Sequence, residues 1–202
     1  LTPHSGPIGG DTSVSLSATG LTNTGEIRVR FGSLDVLTGS YQSATELTLT
    51  SGEGDGAGSL AVSVALNGQQ FVAVSSDTFS YYDVAFGDSS FAPTTGPVDG
   101  DTSVALTGAT GVVNTGEIKV KFGTSDGVTA SFVGSGALTC GESSAGTAGA
   151  KAVSVALNGQ QYVSTGDSFT YYANPSFGST SLTPHSGPIG GDTSVSLSAT
   201  GL

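Results

Sequence analysis

The chain has 202 residues, a formal net charge of −11 and only five Lys plus Arg residues. Such a balance repels polyphosphates and anionic lipid surfaces, and no basic cluster offsets it, so nucleic acid is not an expected partner. No run approaches the roughly 18 consecutive apolar residues needed to cross a bilayer, so no membrane contact is expected within this segment.

The opening stretch LTPHSGPIGGDTSVSLSATGL, Leu1 to Leu21, recurs without a change as Leu182 to Leu202, an offset of 181 residues (182 − 1). An identity of this length reads as the period of a recent tandem duplication, and we expect the sequence to be a window on a longer repeating polypeptide. A weaker repeat divides the period into halves. PHSGPIGGDTSVSL (Pro3 to Leu16) matches PTTGPVDGDTSVAL (Pro93 to Leu106), and NTGEIRVRFG (Asn23 to Gly32) matches NTGEIKVKFG (Asn114 to Gly123). Further on, AVSVALNGQQF (Ala61 to Phe71) matches AVSVALNGQQY (Ala152 to Tyr162), and FSYY (Phe79 to Tyr82) matches FTYY (Phe169 to Tyr172).

Glycine is abundant at 32 residues and the hydrophobic fraction is a modest 36%, which suits many short strands joined by tight turns. No sustained 3.6-residue apolar period appears, so essentially no helix is expected. Strict alternation predicts strands whose inward residues are Val14 and Leu16, then Ile27, Val29 and Phe31, then Leu47 and Leu49, then Val62, Val64 and Leu66, and finally Phe79 and Tyr81. The second half repeats this with Val104 and Leu106, then Ile118, Val120 and Phe122, then Val153, Val155 and Leu157, and finally Phe169 and Tyr171. The Asn-Gly pairs inside LNGQQ (Leu66 to Gln70, Leu157 to Gln161) predict hairpin turns, because both residue types tolerate positive φ. Cys140, the only cysteine, cannot form a disulfide within one period and is expected as a small core residue.

About seven short strands per half argue for an immunoglobulin-like β-sandwich. The ordered set of P-x-x-G-P-x-x-G-D-T-S-V, a strand ending in Phe31-Gly32 or Phe122-Gly123, the V-x-V-x-L-N-G strand and turn, and a closing F-x-Y resembles the IPT/TIG domain, an early-set member of that fold class. The resemblance implies an all-β chain of tandem sandwiches, expected over residues 1–88 and 89–179, with 180–202 supplying the opening strands of a third. It also implies an accessory module of cell-surface receptors, transcription factors or carbohydrate-active enzymes. The acidic charge speaks against the DNA-binding branch.

Candidate chemistry is sparse. His4 and His185 are one position in successive periods, so no zinc site or His-based triad is expected, and neither a cofactor nor an enzymatic activity. The carboxylates, among them Asp11, Asp55, Asp88, Asp101 and Asp192, are spread over turns, and the GEGDG loop (Gly52 to Gly56) reads as solvated rather than as a calcium site. Arg28, Arg30, Lys119 and Lys121 alternate outward on equivalent strands, either as a contact for acidic loops or as guards of a strand edge. Tyr82 and Tyr172 should point outward, open to a sugar or an interface. Phe86 and Phe177 are expected to pack at successive domain junctions. Outward rows such as Ser13, Ser15 and Ser17, or Thr48 and Thr50, are candidate O-glycosylation sites, or else ordinary strand surface. N-linked sugar is excluded by the residues that follow Asn23, Asn67, Asn114, Asn158 and Asn174.

The expected function is structural: an extracellular filament, fibril or stalk of tandem domains, whose partners are adjacent repeats of the same chain or homopolymeric neighbours, with covalent glycans. The alternative is a cell-surface adhesin or carbohydrate-binding protein. Residues 182 to 202 would either continue into the next covalent repeat or complete a neighbouring subunit by strand addition.

Overall fold

The computed structural model describes residues 1–87, 90–141, 145, 147–179 and 181–200, and no helix occurs among them. Asp88 of the carboxylate set therefore lies outside the described residues, as do the domain limits at 88, 89, 180 and 202.

Domain 1 consists of β1 (Ser5–Pro7), β2 (Ser13–Ser17), β3 (Arg28–Phe31), β4 (Leu37–Thr38), β5 (Ser40–Ser43), β6 (Glu46–Thr50), β7 (Gly58–Ala65) and β8 (Val72–Tyr82). One sheet has the order β2-β6-β5 and the other β1-β8-β7-β3-β4, with only β1 running parallel to its neighbour. Because side chains alternate across a strand, Val14, Leu16, Leu47 and Leu49 of the first sheet meet Val29, Phe31, Val62 and Phe79 of the second in a single buried cluster. Phe31 and Phe79 stack with centroids 4.7 Å apart, and Tyr81 meets Phe79 edge-on at 5.1 Å. The Tyr81 hydroxyl donates to the Gly52 carbonyl (2.8 Å), which ties the GEGDG loop to the sheet.

Domain 2 repeats the plan with β9 (Ser90–Ala92), β10 (Thr95–Pro97), β11 (Ser103–Thr107), β12 (Lys119–Phe122), β13 (Val128–Gly134), β14 (Ala137–Gly141), β15 (Gly149–Ala156) and β16 (Val163–Tyr172). Here β13 serves both sheets, Val128 and Thr129 pairing with β12 and Ala130 onward with β14. In domain 1 the same path is divided into β4 and β5 at Gly39, whose N–H donates to Ile27 O (3.1 Å) as Ala130 N–H does to Ile118 O (2.9 Å). Beyond domain 2, β17 (Leu182–Thr183) pairs with β18 (Ser196–Leu197).

The alternating positions of domain 2 are all buried. In domain 1 Val64 and Leu66 are only half-buried, unlike their counterparts Val155 (0% exposed) and Leu157 (1%), a difference whose cause lies at the domain joint. Cys140 is half-buried against the domain 2 core. The basic strip does not guard an edge, because β3 lies between β7 and β4, and β12 between β15 and β13. Instead Arg30 sits 4.4 Å over the Phe71 ring and Lys121 Nζ 4.1 Å over the Tyr162 ring, each cation covering the aromatic that closes the β7–β8 or β15–β16 loop.

Burial raises the phenol of Tyr81 above its ordinary value of 10.0, with a hydrogen bond from Ser51 opposing, and raises Tyr82 further, opposed by the Asn158 backbone. The unfolded chain therefore gives up these protons first. Stability is fully present below pH 10.0 and is lost as pH rises toward the folded-state values. Alkaline unfolding followed by circular dichroism should coincide with a steep, late phenolate absorbance step, and Tyr81→Phe should remove part of that step.

Candidate functional site

No three of His, Cys, Asp and Glu come together among the described residues in a way that could hold a metal ion. The most elaborate polar arrangement is the joint between the two domains. It begins with the linker. Ala85 and Thr110 exchange backbone hydrogen bonds (Ala85 N to Thr110 O 3.1 Å, Thr110 N to Ala85 O 2.9 Å), so the chain leaving domain 1 is clamped on the β11–β12 loop of domain 2. The approach is close enough to require glycine at 111. That residue has φ +70°, and a Cβ there would lie 1.8 Å from Asp83 O.

This clamp seats two aromatic side chains in domain 2. Phe86 and Tyr82, each 2% exposed, belong to the same apolar cluster as Ala109, Val112, Val155 and Leu157. Phe86 thus packs into domain 2 at the junction. Tyr82 does not point to solvent. Alternation within β8 gives its direction relative to domain 1 only, and the side of the strand facing away from that core is covered by domain 2.

Above the aromatic pair, the loop after β15 reaches back to domain 1. Asn158 is 3% exposed, and its Oδ1 accepts from the N–H groups of Gln160 (3.1 Å) and Gln161 (3.2 Å), which shapes the turn. Its Nδ2 donates to Ser5 O (3.2 Å) and Thr12 Oγ1 (3.4 Å) in the other domain. Gln160 reads the backbone of Ser13 at both ends, Nε2 donating to Ser13 O (2.9 Å) and Oε1 accepting from Ser13 N (3.1 Å). Gln161 Nε2 donates to Asp11 O (2.7 Å). Asp11 itself has φ +59° and follows Gly10 at φ +78°, so a strained turn presents that carbonyl.

The receptor is supported from beneath by Gly6. A Cβ at that position would fall 2.2 Å from Thr12 Oγ1 and 2.9 Å from the Phe79 ring. Gly6→Ala is therefore expected to destabilise domain 1 by about 1–3 kcal/mol through overpacking and to displace Thr12 from the joint. Denaturant unfolding checks the first effect, and the amide shifts of Gln160 and Gln161 check the second.

The hairpin expectation holds at both LNGQQ segments, although the loops span residues 66–71 and 157–162 rather than a two-residue turn, and only Gly68 and Gly159 of each Asn-Gly pair take positive φ. Turn chemistry alone accounts for these asparagines in the sequence, and the reach of Asn158 across the joint is seen only in the fold. The available signal was that LNGQQ is preserved letter for letter in both halves.

The remaining candidates are scattered. Tyr172 points outward, 47% exposed, as alternation predicts. Phe177 is 51% exposed, and among the described residues the segment after it forms β17 and β18. Ser13, Ser15 and Ser17 stand opposite Thr50, Thr48 and Glu46 on the outer face of β2 and β6. Ser15 Oγ donates to Glu46 (2.7 Å) and Thr48 Oγ1 accepts from Gln42 (2.8 Å), while Ser13, Ser17 and Thr50 are exposed. His4 and His185 are exposed, as are Glu53 and Asp55 of the GEGDG loop.

The IPT/TIG domain profile matches residues 1–81 and again residues 89–171. The chain belongs to the IPT/TIG family. Among solved structures, the full extracellular region of plexin A4 with domains 1 to 10 is similar, with 18% identity and a TM-score of 0.62 over 90% of this chain and 16% of that one. A second structure of the plexin A4 extracellular region, with domains 1 to 8, gives 18% identity and a TM-score of 0.54 over 84% of this chain and 17% of that one. The chain thus spans about a sixth of the plexin chains whose fold it shares. No curated protein matched the chain. The all-β fold of two tandem IPT/TIG sandwiches is what the sequence pattern predicted.

Proposed function

We propose that this tandem IPT/TIG chain is a non-catalytic structural repeat of an extracellular filament, fibril or stalk, in which length and stiffness are the product. The observation that carries the reading is the joint: domain 2 buries Tyr82 and Phe86 of the linker and bonds Asn158, Gln160 and Gln161 to domain 1. Two domains fastened by apolar packing and by side-chain-to-backbone bonds resist bending, unlike domains on a flexible linker. The verbatim recurrence of Leu1 to Leu21 as Leu182 to Leu202, at an offset of 181 residues (182 − 1), supports serial use of such joints.

In this reading Ser17 and Thr50 lead the candidates for O-linked glycan, since Ser15 and Thr48 already engage neighbouring side chains and Ser13 lies against Gln160 in the joint. Denaturing electrophoresis of the native material tests the filament. A very large mass or a ladder at the repeat interval supports it, and a single species near 19.7 kDa overturns it. Mass spectrometry of peptides containing Ser13 to Ser17 and Thr48 to Thr50 tests the sugars.

A second reading, an adhesin or carbohydrate-binding surface protein, is favoured by exposed Tyr172, whose ring is available for stacking on a sugar. Glycan-array binding that Tyr172→Ala removes would support it.

A further inference from the structure

The two domains are near-copies, yet they differ in what covers them, and the differences fall at opposite ends of the pair. At the near end, domain 1 carries an open apolar groove of about 930 Å³ lined by Leu16, Ala18, Leu21, Val64, Leu66 and Val72. The equivalent residues of domain 2 are Leu106, Ala109, Val112, Val155, Leu157 and Val163, and they close around Tyr82 and Phe86. Gly20, the counterpart of Gly111, has open space where Gly111 meets Asp83. Asn67, the counterpart of Asn158, makes the same turn, with Oδ1 accepting from Gln69 N (3.2 Å) and Gln70 N (3.1 Å), but is exposed.

At the far end the complementary features stand open. Tyr172 and Phe177 are the counterparts of Tyr82 and Phe86, 47% and 51% exposed against 2% for each of the covered pair. Thr95 is exposed where its counterpart Ser5 is 4% exposed beneath Asn158. The strained turn is present too, with Asp101 at φ +70° after Gly100 at φ +93°. Ser176 and Thr200 exchange the same backbone bonds as Ala85 and Thr110, so the clamp that aims the aromatic segment is already set.

We propose that these two ends are the halves of one interface. The groove of domain 1 is the seat for Tyr172 and Phe177 of another two-domain unit of the same sequence, and the Asn67–Gln70 turn closes on Thr95, Asp101 and Ser103 of that unit. The contact is heterologous, using a different patch on each partner, so it does not close on itself and propagates along a line. The occupant is a second copy because the chain displays that contact once, made, between domains of matching sequence. The inference rests on the filament reading and gives it a mechanism.

The test uses a polypeptide of two periods, residues 1–181 followed directly by 1–202, with Cys140→Ser throughout. Ser103→Cys in the first period and Gln69→Cys in the second place thiols at two exposed positions for a short thiol-to-thiol cross-linker. The 202-residue chain with Cys140→Ser, Ser13→Cys and Gln160→Cys reports the joint already seen, in which those residues are hydrogen-bonded. The two-period pair should link at a rate comparable to this control, and Phe177→Ala in the first period should slow it by about tenfold or more. Linking no faster than a pair of Ser103→Cys with Thr45→Cys, away from the joint, while the control links, would overturn the proposal. That result would leave the electrophoretic test of the filament untouched, whereas native material of single-unit mass would end the filament reading whatever the cross-linker shows.

Discussion

In the isolated 202-residue chain Phe86→Ala is expected to destabilise domain 2 by about 3–5 kcal/mol, whereas Phe177→Ala, the same change at the equivalent position, should stay within about 0.5 kcal/mol. Phe86 is 2% exposed in the domain 2 cluster, so its removal loses apolar transfer energy and leaves a cavity among Ala109, Val112 and Leu157. Phe177 is half exposed and surrounds itself with solvent. Guanidinium unfolding of both variants, followed by amide exchange in domain 2, measures the contrast. Equal effects would mean that the junction aromatic matters only within its own linker and that domain 2 does not depend on it.

A second matched pair separates turn formation from domain docking. Asn158→Ala should destabilise the two-domain unit by about 2–3 kcal/mol, and Asn67→Ala by about 1 kcal/mol. Each asparagine satisfies two backbone N–H groups of its own turn, so the local loss is shared. Only Asn158 also donates to Ser5 O and Thr12 Oγ1, and its removal leaves a buried carbonyl and hydroxyl with poorer partners. The difference between the two variants is then the contribution of the joint. Residual dipolar couplings should show the orientation between domains loosened by Asn158→Ala and unchanged by Asn67→Ala. A loosening of equal size in both would place the joint's strength elsewhere.

The fold was legible because its determinants are local. Alternation along β2, β3 and β6 assigns Val14, Leu16, Val29, Phe31, Leu47 and Leu49 to the core, and a one-residue slip would have turned every one of them outward. The joint was legible only in part. Phe86 is marked by its recurrence, whereas alternation sends Tyr82 away from its own core, open to a sugar or an interface, and a period-two pattern is silent on which of these lies against the other side of the strand. Asn158, Gln160 and Gln161 were hidden for a related reason. Turn chemistry explains Asn-Gly without any partner, and most of their bonds across the joint go to backbone atoms, which leave no complementary pattern in the sequence. The basic strip misled differently. Alternating Arg28 and Arg30 suit an edge, yet β3 is an inner strand and Arg30 caps the ring of Phe71.

The most direct measurement of the central claim is an electron cryo-microscopy map of the native assembly at side-chain resolution. Serial use of one joint predicts unbroken density from each 181-residue unit to the next (182 − 1), with Tyr172 and Phe177 buried in the groove of the following domain and its Asn67 turned onto Thr95. Separate units, or a continuous chain in which Tyr172 and Phe177 face solvent at every junction, would contradict it.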